Sequence, residues 1–313
     1  MTARASTTTE FRQRGTLEVL AWPVFDQFGV EAMVTTRHGG VSSGSASGAG
    51  EHADFSTLNL SFQVGDDPAD VAENRRRAAA AFGADLGDFV FARQVHGRTA
   101  QTVSHADRGR GSTGPEDAIA QADALVTNDP GTVLAILVAD CVPIVLYDPV
   151  AHVLACVHAG WRGTVARVAG SALAAMSSLG TRACDVIAGL GPAISPDRYQ
   201  VGDDVAAAAE RAFGTRARSV IRPDGTGKWL FDSWTANRLI LGEAGVPGDK
   251  IHVADVPTGP DPGLFFSHRA QAPCGRFAAV ARLSPRSPVN PRSPVSPGSP
   301  VNPRSPVSPR GPR

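Results

Sequence analysis

The sequence predicts a mixed α/β protein built on one large sheet or two packed sheets. Three observations predict it. Strand-like apolar runs outnumber helix-like stretches, yet both types occur along the whole body of the chain. The run at 133–139 is apolar throughout, as a strand buried on both faces must be. The regular strand–helix alternation of a doubly wound sheet is missing: no Gly-x-Gly-x-x-Gly follows the first strand, and there is no P-loop sequence.

Residues 17–24 read as a first strand, and 30–36 alternate as a second. That strand leads to Arg37-His38-Gly39-Gly40-Val41-Ser42, and the Gly/Ser/Ala-rich stretch from there to Phe55 is expected to be a flexible loop. Asp67 or Asp70 caps a helix on which Val71, Arg75, Ala78 and Phe82 recur at helical spacing. Further strands are predicted at 89–95, 99–103 and 122–127, with a long polar, glycine-rich loop at 105–121. Strands at 133–139, 144–147 and 152–157 come close together, and Asp148-Pro149 turns the chain between the last two. An Ala-rich helix is expected at 164–178, a strand at 186–190, helices at 203–213 and 234–243, and strands at 251–256 and 277–283.

The chain of 313 residues divides into a flexible N-terminus (1–15), one large domain (16–283) and a tail (284–313). The tail repeats Arg-Ser-Pro-Val-Asn/Ser-Pro with a period of six and has no apolar residue except valine. Such a segment cannot bury enough surface to offset its ordering entropy, so disorder with polyproline II bias is expected. The tail carries five arginines and no acid, so a net charge of zero overall leaves −5 on the body. No basic stripe marks a nucleic-acid binder. No apolar run approaches a membrane span, no signal-peptide core is visible near Met1, and no obligate protein partner is indicated. Cys141, Cys156, Cys184 and Cys274 include no Cys-x-x-Cys pair. A cytoplasmic protein with reduced thiols is expected, in which a lone cysteine is free to be ligand or nucleophile.

Three residues stand where chemistry can be done. His96, Cys141 and His158 each follow a strand-like run and are flanked by small or turn-forming residues. Imidazole and thiolate are ligands that Zn²⁺ prefers, and three of them leave one position for water. Spacing alone does not show that they meet, and a Cys141–His158 dyad without metal is the alternative. Cys156 shares a strand face with His158 but lies deeper in an apolar run, which marks it as core. Asp140 and Asp123 are the candidate proton shuttles. The His-x-Glu pattern of zinc deaminases is not present, since Arg98 stands where the glutamate would be. Arg162, at the start of a helix, together with Arg37 and Arg269, is a candidate for phosphate.

At these residues the sequence resembles a known family. Gln94-Val95-His96-Gly97, Ala122-Asp123-Ala124-Leu125-Val126-Thr127, Ala139-Asp140-Cys141-Val142-Pro143-Ile144 and His158-Ala159-Gly160-Trp161-Arg162-Gly163 carry the resemblance. Thr36-Arg37, Gly39-Gly40-Val41-Ser42, Asn59-Leu60, Gly65-Asp66-Asp67, Glu73-Asn74-Arg75, Gly191-Pro192-Ala193-Ile194 and Phe265-Phe266-Ser267 extend it. The family is that of the polyphenol oxidase or laccase-domain proteins, better described as zinc-dependent purine nucleoside phosphorylases with adenosine deaminase activity. The resemblance implies a four-layer α/β/β/α sandwich with mixed sheets for the domain at 16–283. It implies His96, Cys141 and His158 as zinc ligands. It also implies phosphorolysis of adenosine, inosine, guanosine and methylthioadenosine, with hydrolytic deamination of adenosine. Gln94, beside His96, joins Arg37, Arg162 and Arg269 as a candidate for contact with nucleoside or phosphate. Copper fits less well than zinc, because laccase-type copper sites need many more histidines. A metal-free Cys–His hydrolase, a copper-dependent oxidase and a non-catalytic nucleoside binder are the competing classes. The chain departs from the family pattern at Pro257, where a cysteine usually stands, and at His268-Arg269-Ala270, where an aromatic residue and two arginines are usual.

Overall fold

Apolar runs in the middle of the chain become strands because both of their faces are covered. A computed structural model describes residues 8–43, 53–259 and 263–285. It begins with strands β1 (Glu10–Arg14), β2 (Leu17–Ala21) and β3 (Val30–Thr35) and helix α1 (Pro68–Phe82). Strands β4 (Phe89–Phe91), β5 (Ala100–Thr102), β6 (Ala124–Thr127), β7 (Val133–Val138), β8 (Val142–Asp148) and β9 (Val153–Ala159) follow. Next come α2 (Trp161–Val165), α3 (Val168–Ser177), β10 (Ile187–Leu190), β11 (Ala193–Ile194), β12 (Gln200–Val201) and α4 (Asp203–Phe213). The chain continues through β13 (Ile221–Pro223), β14 (Trp229–Phe231), α5 (Ser233–Glu243), β15 (Ile251–Val253), β16 (Pro257–Thr258) and β17 (Phe277–Leu283).

Two six-stranded mixed sheets form, in the orders β1-β2-β3-β17-β7-β4 and β15-β10-β8-β9-β6-β5. Each is antiparallel inside and has parallel pairing at its margins: β4 with β7 in the first, β15 with β10 and β5 with β6 in the second. Side-chain alternation then sorts the layers. Leu134, Ile136 and Val138 of β7 meet Val145 and Tyr147 of β8, Leu154 and Cys156 of β9, and Ala279 and Ala281 of β17 between the sheets. On the far side of the first sheet, Val133 and Ala135 pack with Ala78 and Phe82 of α1. On the far side of the second, Val142, Ile144 and Leu146 of β8 pack with Val168, Ala172 and Met176 of α3 and Ile240 of α5. The result is the expected four-layer α/β/β/α sandwich. Each fully buried Val, Leu or Ile on these faces contributes about 1.5–3 kcal/mol relative to exposure.

Helix α1 starts where its sequence says: the Asp67 side chain accepts from Ala69 N at 2.7 Å, and Gly83 closes the helix in the left-handed region. Three expectations are corrected. Residues 10–14 are not a loose terminus, because β1 pairs in register with β2. The helix expected at 164–178 is two helices, since Arg167 takes a left-handed conformation (φ 66°) between α2 and α3 and pairs with Glu243 of α5. The polar loop at 105–121 is no free excursion: the buried Arg75 guanidinium donates to the carbonyls of Gly111 and Ser112 and clamps it. The expected loop residues 44–52 and tail residues 286–313 lie outside the described residues.

Candidate metal centre and its cleft

Two site residues occupy the left-handed region that L-residues rarely adopt, His96 (φ 57°) and Asp140 (φ 79°). Hydrogen bonds hold both. The amides of Val95, His96 and Gly97 donate to the Asp123 carboxylate at 3.3, 2.9 and 2.7 Å. Asp140 accepts from Thr258 Oγ1 at 2.5 Å and from Arg269 N at 2.7 Å, and its carbonyl accepts from Ile194 N at 3.0 Å. The small parallel pair β11–β16 sets Thr258 in place for this contact.

The three ligand candidates arrive from different parts of the sandwich. His96 follows β4 of the first sheet. Cys141 lies where the chain crosses from β7 in the first sheet to β8 in the second. His158 sits near the end of β9, on the same face as Cys156, and is 3% exposed. Their ligand atoms all lie within 4.8 Å of one another, and the two imidazole rings meet edge to face at 4.7 Å. Gly160 closes the cluster from the side. A Cβ there would stand 2.8 Å from His96 Nδ1 and 3.0 Å from Cys141 Sγ, so only glycine leaves both ligands undisturbed.

Electrostatics prepare the group for a cation. Asp123 is fully buried, and its Oδ1 lies 2.8 Å from His158 Nδ1. Burial opposes its charge, but His158 and the amides of Gly97 and Val95 outweigh it and hold the carboxyl below its ordinary range. The Nδ1–H donated to Asp123 leaves Nε2 as the ligand atom, an arrangement common behind metal-bound histidines. Burial likewise opposes a Cys141 thiolate, yet His158 and His96 bring that thiol down to about 6. Two imidazoles and a thiolate are a donor set suited to zinc. Among the described residues this is the one such His/Cys/Asp/Glu group able to hold a metal ion.

The group opens into a cleft of about 450 Å³, within the range of small-molecule sites. Asp140, Gln94, Arg162 and Arg269 all line it. Gln94 has its amide engaged at both ends, donating to Leu137 O at 2.7 Å and accepting from Leu137 N at 2.8 Å, so it anchors β7 to the cleft wall. The Arg162 guanidinium lies 4.4 Å from the Trp161 ring centroid and has no hydrogen bond or ion pair among the described residues. Asp123 stands behind His158, with its oxygens taken by the imidazole and three amides, so it positions ligands rather than facing the cleft. Arg37 is outside the cleft. It pairs with Asp54 at 2.5 Å, donates to Ser56 O at 2.8 Å and lies over the Phe266 ring. Its guanidinium is engaged by these contacts and does not line the cleft.

The cleft also contains residues that sequence reasoning passed over: Tyr199, His268 and Arg276. His268 is held below its ordinary pKa by burial and by nearby Arg276. His268 alone had a signal in the sequence, the unusual His268-Arg269-Ala270 triplet. Tyr199 and Arg276 belong to no ligand-like motif.

A family model described as multi-copper polyphenol oxidoreductase laccase matches residues 31–284. The chain belongs to that family. Within the family, it is 38% identical over 242 residues to "Purine nucleoside phosphorylase YlmD" of Geobacillus stearothermophilus, covering 77% of this chain and 85% of the relative. It is 39% identical over 223 residues to "Adenosine deaminase RL5" from an unknown prokaryotic organism, covering 71% and 82%. The crystal structure of YlmD from Geobacillus stearothermophilus superposes with a TM-score of 0.80 at 35% identity, over 88% of this chain and 98% of that one. The chain is accordingly an enzyme of the laccase-domain family, whose relatives bear names of purine nucleoside chemistry. No helix among the described residues is long and apolar enough to cross a membrane.

Proposed function

We propose that this chain is a zinc-dependent purine nucleoside phosphorylase, acting on adenosine, inosine, guanosine and methylthioadenosine, that also deaminates adenosine. The catalytic unit is the domain at 16–283, working in the cytoplasm with reduced thiols. The observation that carries the reading is the His96/Cys141/His158 group, backed by Asp123, at the floor of a nucleoside-sized cleft that also presents Arg162 and Arg269. The printed names of the relatives point to the same chemistry.

Zinc bound there would supply Lewis acidity and a water acidic enough to act as a nucleophile near neutral pH. The chain's own residues do the rest. Trp161, Tyr199 and the His268 ring offer flat surfaces for a purine. Arg162 and Arg269 hold phosphate, whose oxygen bonds to ribose C1′ as the C1′–N9 bond breaks and the purine takes up a proton. Asp140 is the cleft-facing carboxylate and the better candidate to move a proton, since Asp123 is enclosed behind His158. In deamination, water adds at C6 of adenosine and ammonia leaves, giving inosine.

The test is incubation of the purified protein with adenosine, with and without phosphate, followed by product identification. Adenine with ribose 1-phosphate is expected when phosphate is present, and inosine without it; the absence of both products would overturn the reading. The lowered Cys141 thiol favours one rival, a metal-free Cys141–His158 hydrolase. Activity that persists after chelation and is lost on alkylation would establish that rival instead.

A further inference from the structure

Beside the metal cleft lies a second cavity of about 320 Å³, and the two share a wall formed by Trp161, Arg162, Tyr199 and Arg269. None of His96, Cys141 and His158 lines this annex. Its far side is built by Gln200 and Val201 of β12, by the first turn of α4 and by Lys228. Lys228, in the turn between β13 and β14, joins Arg162 and Arg269 there, against the single carboxylate of Asp204. The other acid of that turn, Asp203, is turned to Trp229, accepting from its Nε1 at 2.8 Å.

One of the basic side chains is anchored, and the other two are free to meet a ligand. Arg269 is fixed from both sides of its length: its amide donates to Asp140 and its Nη1 donates to Gln200 O at 2.8 Å, with the guanidinium 5.3 Å from the Tyr199 ring centroid. The Arg162 guanidinium lies over the Trp161 ring, 4.4 Å from its centroid. The turn that carries Lys228 is closed by Asp224 N to Lys228 O at 2.8 Å and Lys228 N to Gly225 O at 3.2 Å. Neither the Lys228 ammonium nor the Arg162 guanidinium has a hydrogen bond or ion pair among the described residues. Three cations against one carboxylate, on a wall shared with the reaction cleft, suit a dianion that must reach the bound nucleoside.

We infer that this annex binds the phosphate group that meets the nucleoside, with Lys228 as its third cation. The inference rests on the phosphorylase reading and names the seat of its co-substrate. Free inorganic phosphate and the 5′-phosphate of a nucleotide share this chemistry.

The experiment uses the full chain and two variants at an exposed turn, Lys228→Glu and Lys228→Arg. Steady-state phosphorolysis of adenosine gives KM for phosphate and for adenosine separately. Calorimetric titration with inorganic phosphate, which needs no turnover, gives its affinity directly. The KM for phosphate should rise about tenfold or more in K228E, with the adenosine KM as internal reference, and K228R should restore most of it. Phosphate affinity should fall in parallel. If phosphate KM and affinity both match wild type in K228E, the annex is not the phosphate site, and the phosphorylase reading stands without it. If wild type makes no ribose 1-phosphate but its phosphate affinity is lost in K228E, the site stands and the phosphorylase reading falls. Adenosine 5′-monophosphate separates the two sources. Tighter binding of the nucleotide than of adenosine, abolished by K228E, assigns the annex to a nucleotide phosphate; equal binding of the two leaves free phosphate as its occupant.

Discussion

At the scale of single residues, the site depends on groups set behind its ligand atoms. Asp123 is the clearest case, since one buried carboxylate orients His158 and caps the three amides around His96. Asp123→Asn should therefore weaken metal binding about 10–100-fold, read by competition with a chromogenic chelator, while leaving the fold intact by circular dichroism. Metal affinity equal to wild type would remove Asp123 from the site. Cys141 allows a test that needs no substrate. In metal-stripped protein its thiol, brought down to about 6, should be alkylated rapidly at neutral pH, well below the ordinary thiol range near about 8.5. Added zinc should protect it. Cys156, fully buried and pushed up by that burial, should stay unmodified throughout, and exposed Cys184 serves as the reference. Arg37 makes the opposite prediction from the one its motif suggested. Arg37→Ala should cost about 1–3 kcal/mol of stability and leave the phosphate KM unchanged. Its partner Asp54 gives the pH dependence: burial opposes the Asp54 charge, but Arg37 and Ser56 outweigh it and lower its pKa. A lowered carboxyl contributes its full stability above the unfolded value of about 3.9 and loses it as pH falls through the folded value. Acid unfolding of R37A should thus converge on wild type at the acid end, and a constant gap at every pH would contradict the pairing.

At the scale of elements, the site is made by connections rather than by strands. The β4–β5 connection brings His96, the β7–β8 crossing brings Cys141, and the end of β9 brings His158. Gly160, capping α2, lets the three close up, because any side chain there would enter the space of His96 and Cys141. Gly160→Ala should consequently lower metal content more than it lowers melting temperature, as measured by elemental analysis beside thermal denaturation. The strands themselves were legible in the sequence because each has its apolar periodicity written locally: β17 and α4 fall where the pattern puts them. The break between α2 and α3 was not legible. Nothing in the alanine-rich run marks Arg167 as left-handed; its pairing with Glu243 is a contact 76 residues away in the chain. The short strands β12, β13 and β14 escaped for a related reason, since two- and three-residue strands have too few positions to show alternation.

At the scale of the whole molecule, a metal at this site would fasten one sheet to the other, with His96 arriving from the first, His158 from the second and Cys141 from the crossing between them. Anything that binds only the folded state stabilises it by mass action, by about 4 kcal/mol at a thousandfold excess over the dissociation constant. Chelation should lower the melting temperature by several degrees without loss of secondary structure, and zinc should restore it. A melting curve indifferent to chelator would separate the cluster from metal altogether. The same crossing places the cleft: Leu137 and Val138 at the end of β7, Asp140 and Cys141 in the crossing, and His158 near the end of β9 all line it.

The sequence by itself determined a mixed α/β body with buried strands, since short apolar runs bounded by turn residues need cover on both faces; whether they form one sheet or two was decided by the tertiary structure. It also determined the identity of the three ligand candidates, because a thiol and two imidazoles beside tight turns are rare and local enough to be seen one at a time. Which polar residues do what was decided by tertiary structure. Arg37 and Gln94 look like substrate groups in their motifs, and the fold engages them with Asp54 and with Leu137. Tyr199, Arg276 and Lys228 look like ordinary surface residues, and the fold brings them to the cleft and its annex. The physical reason is common to all of them. Hydrophobic periodicity is a short-range property of the chain, whereas the partner that satisfies or frees a charged side chain is chosen by contacts between segments far apart in sequence.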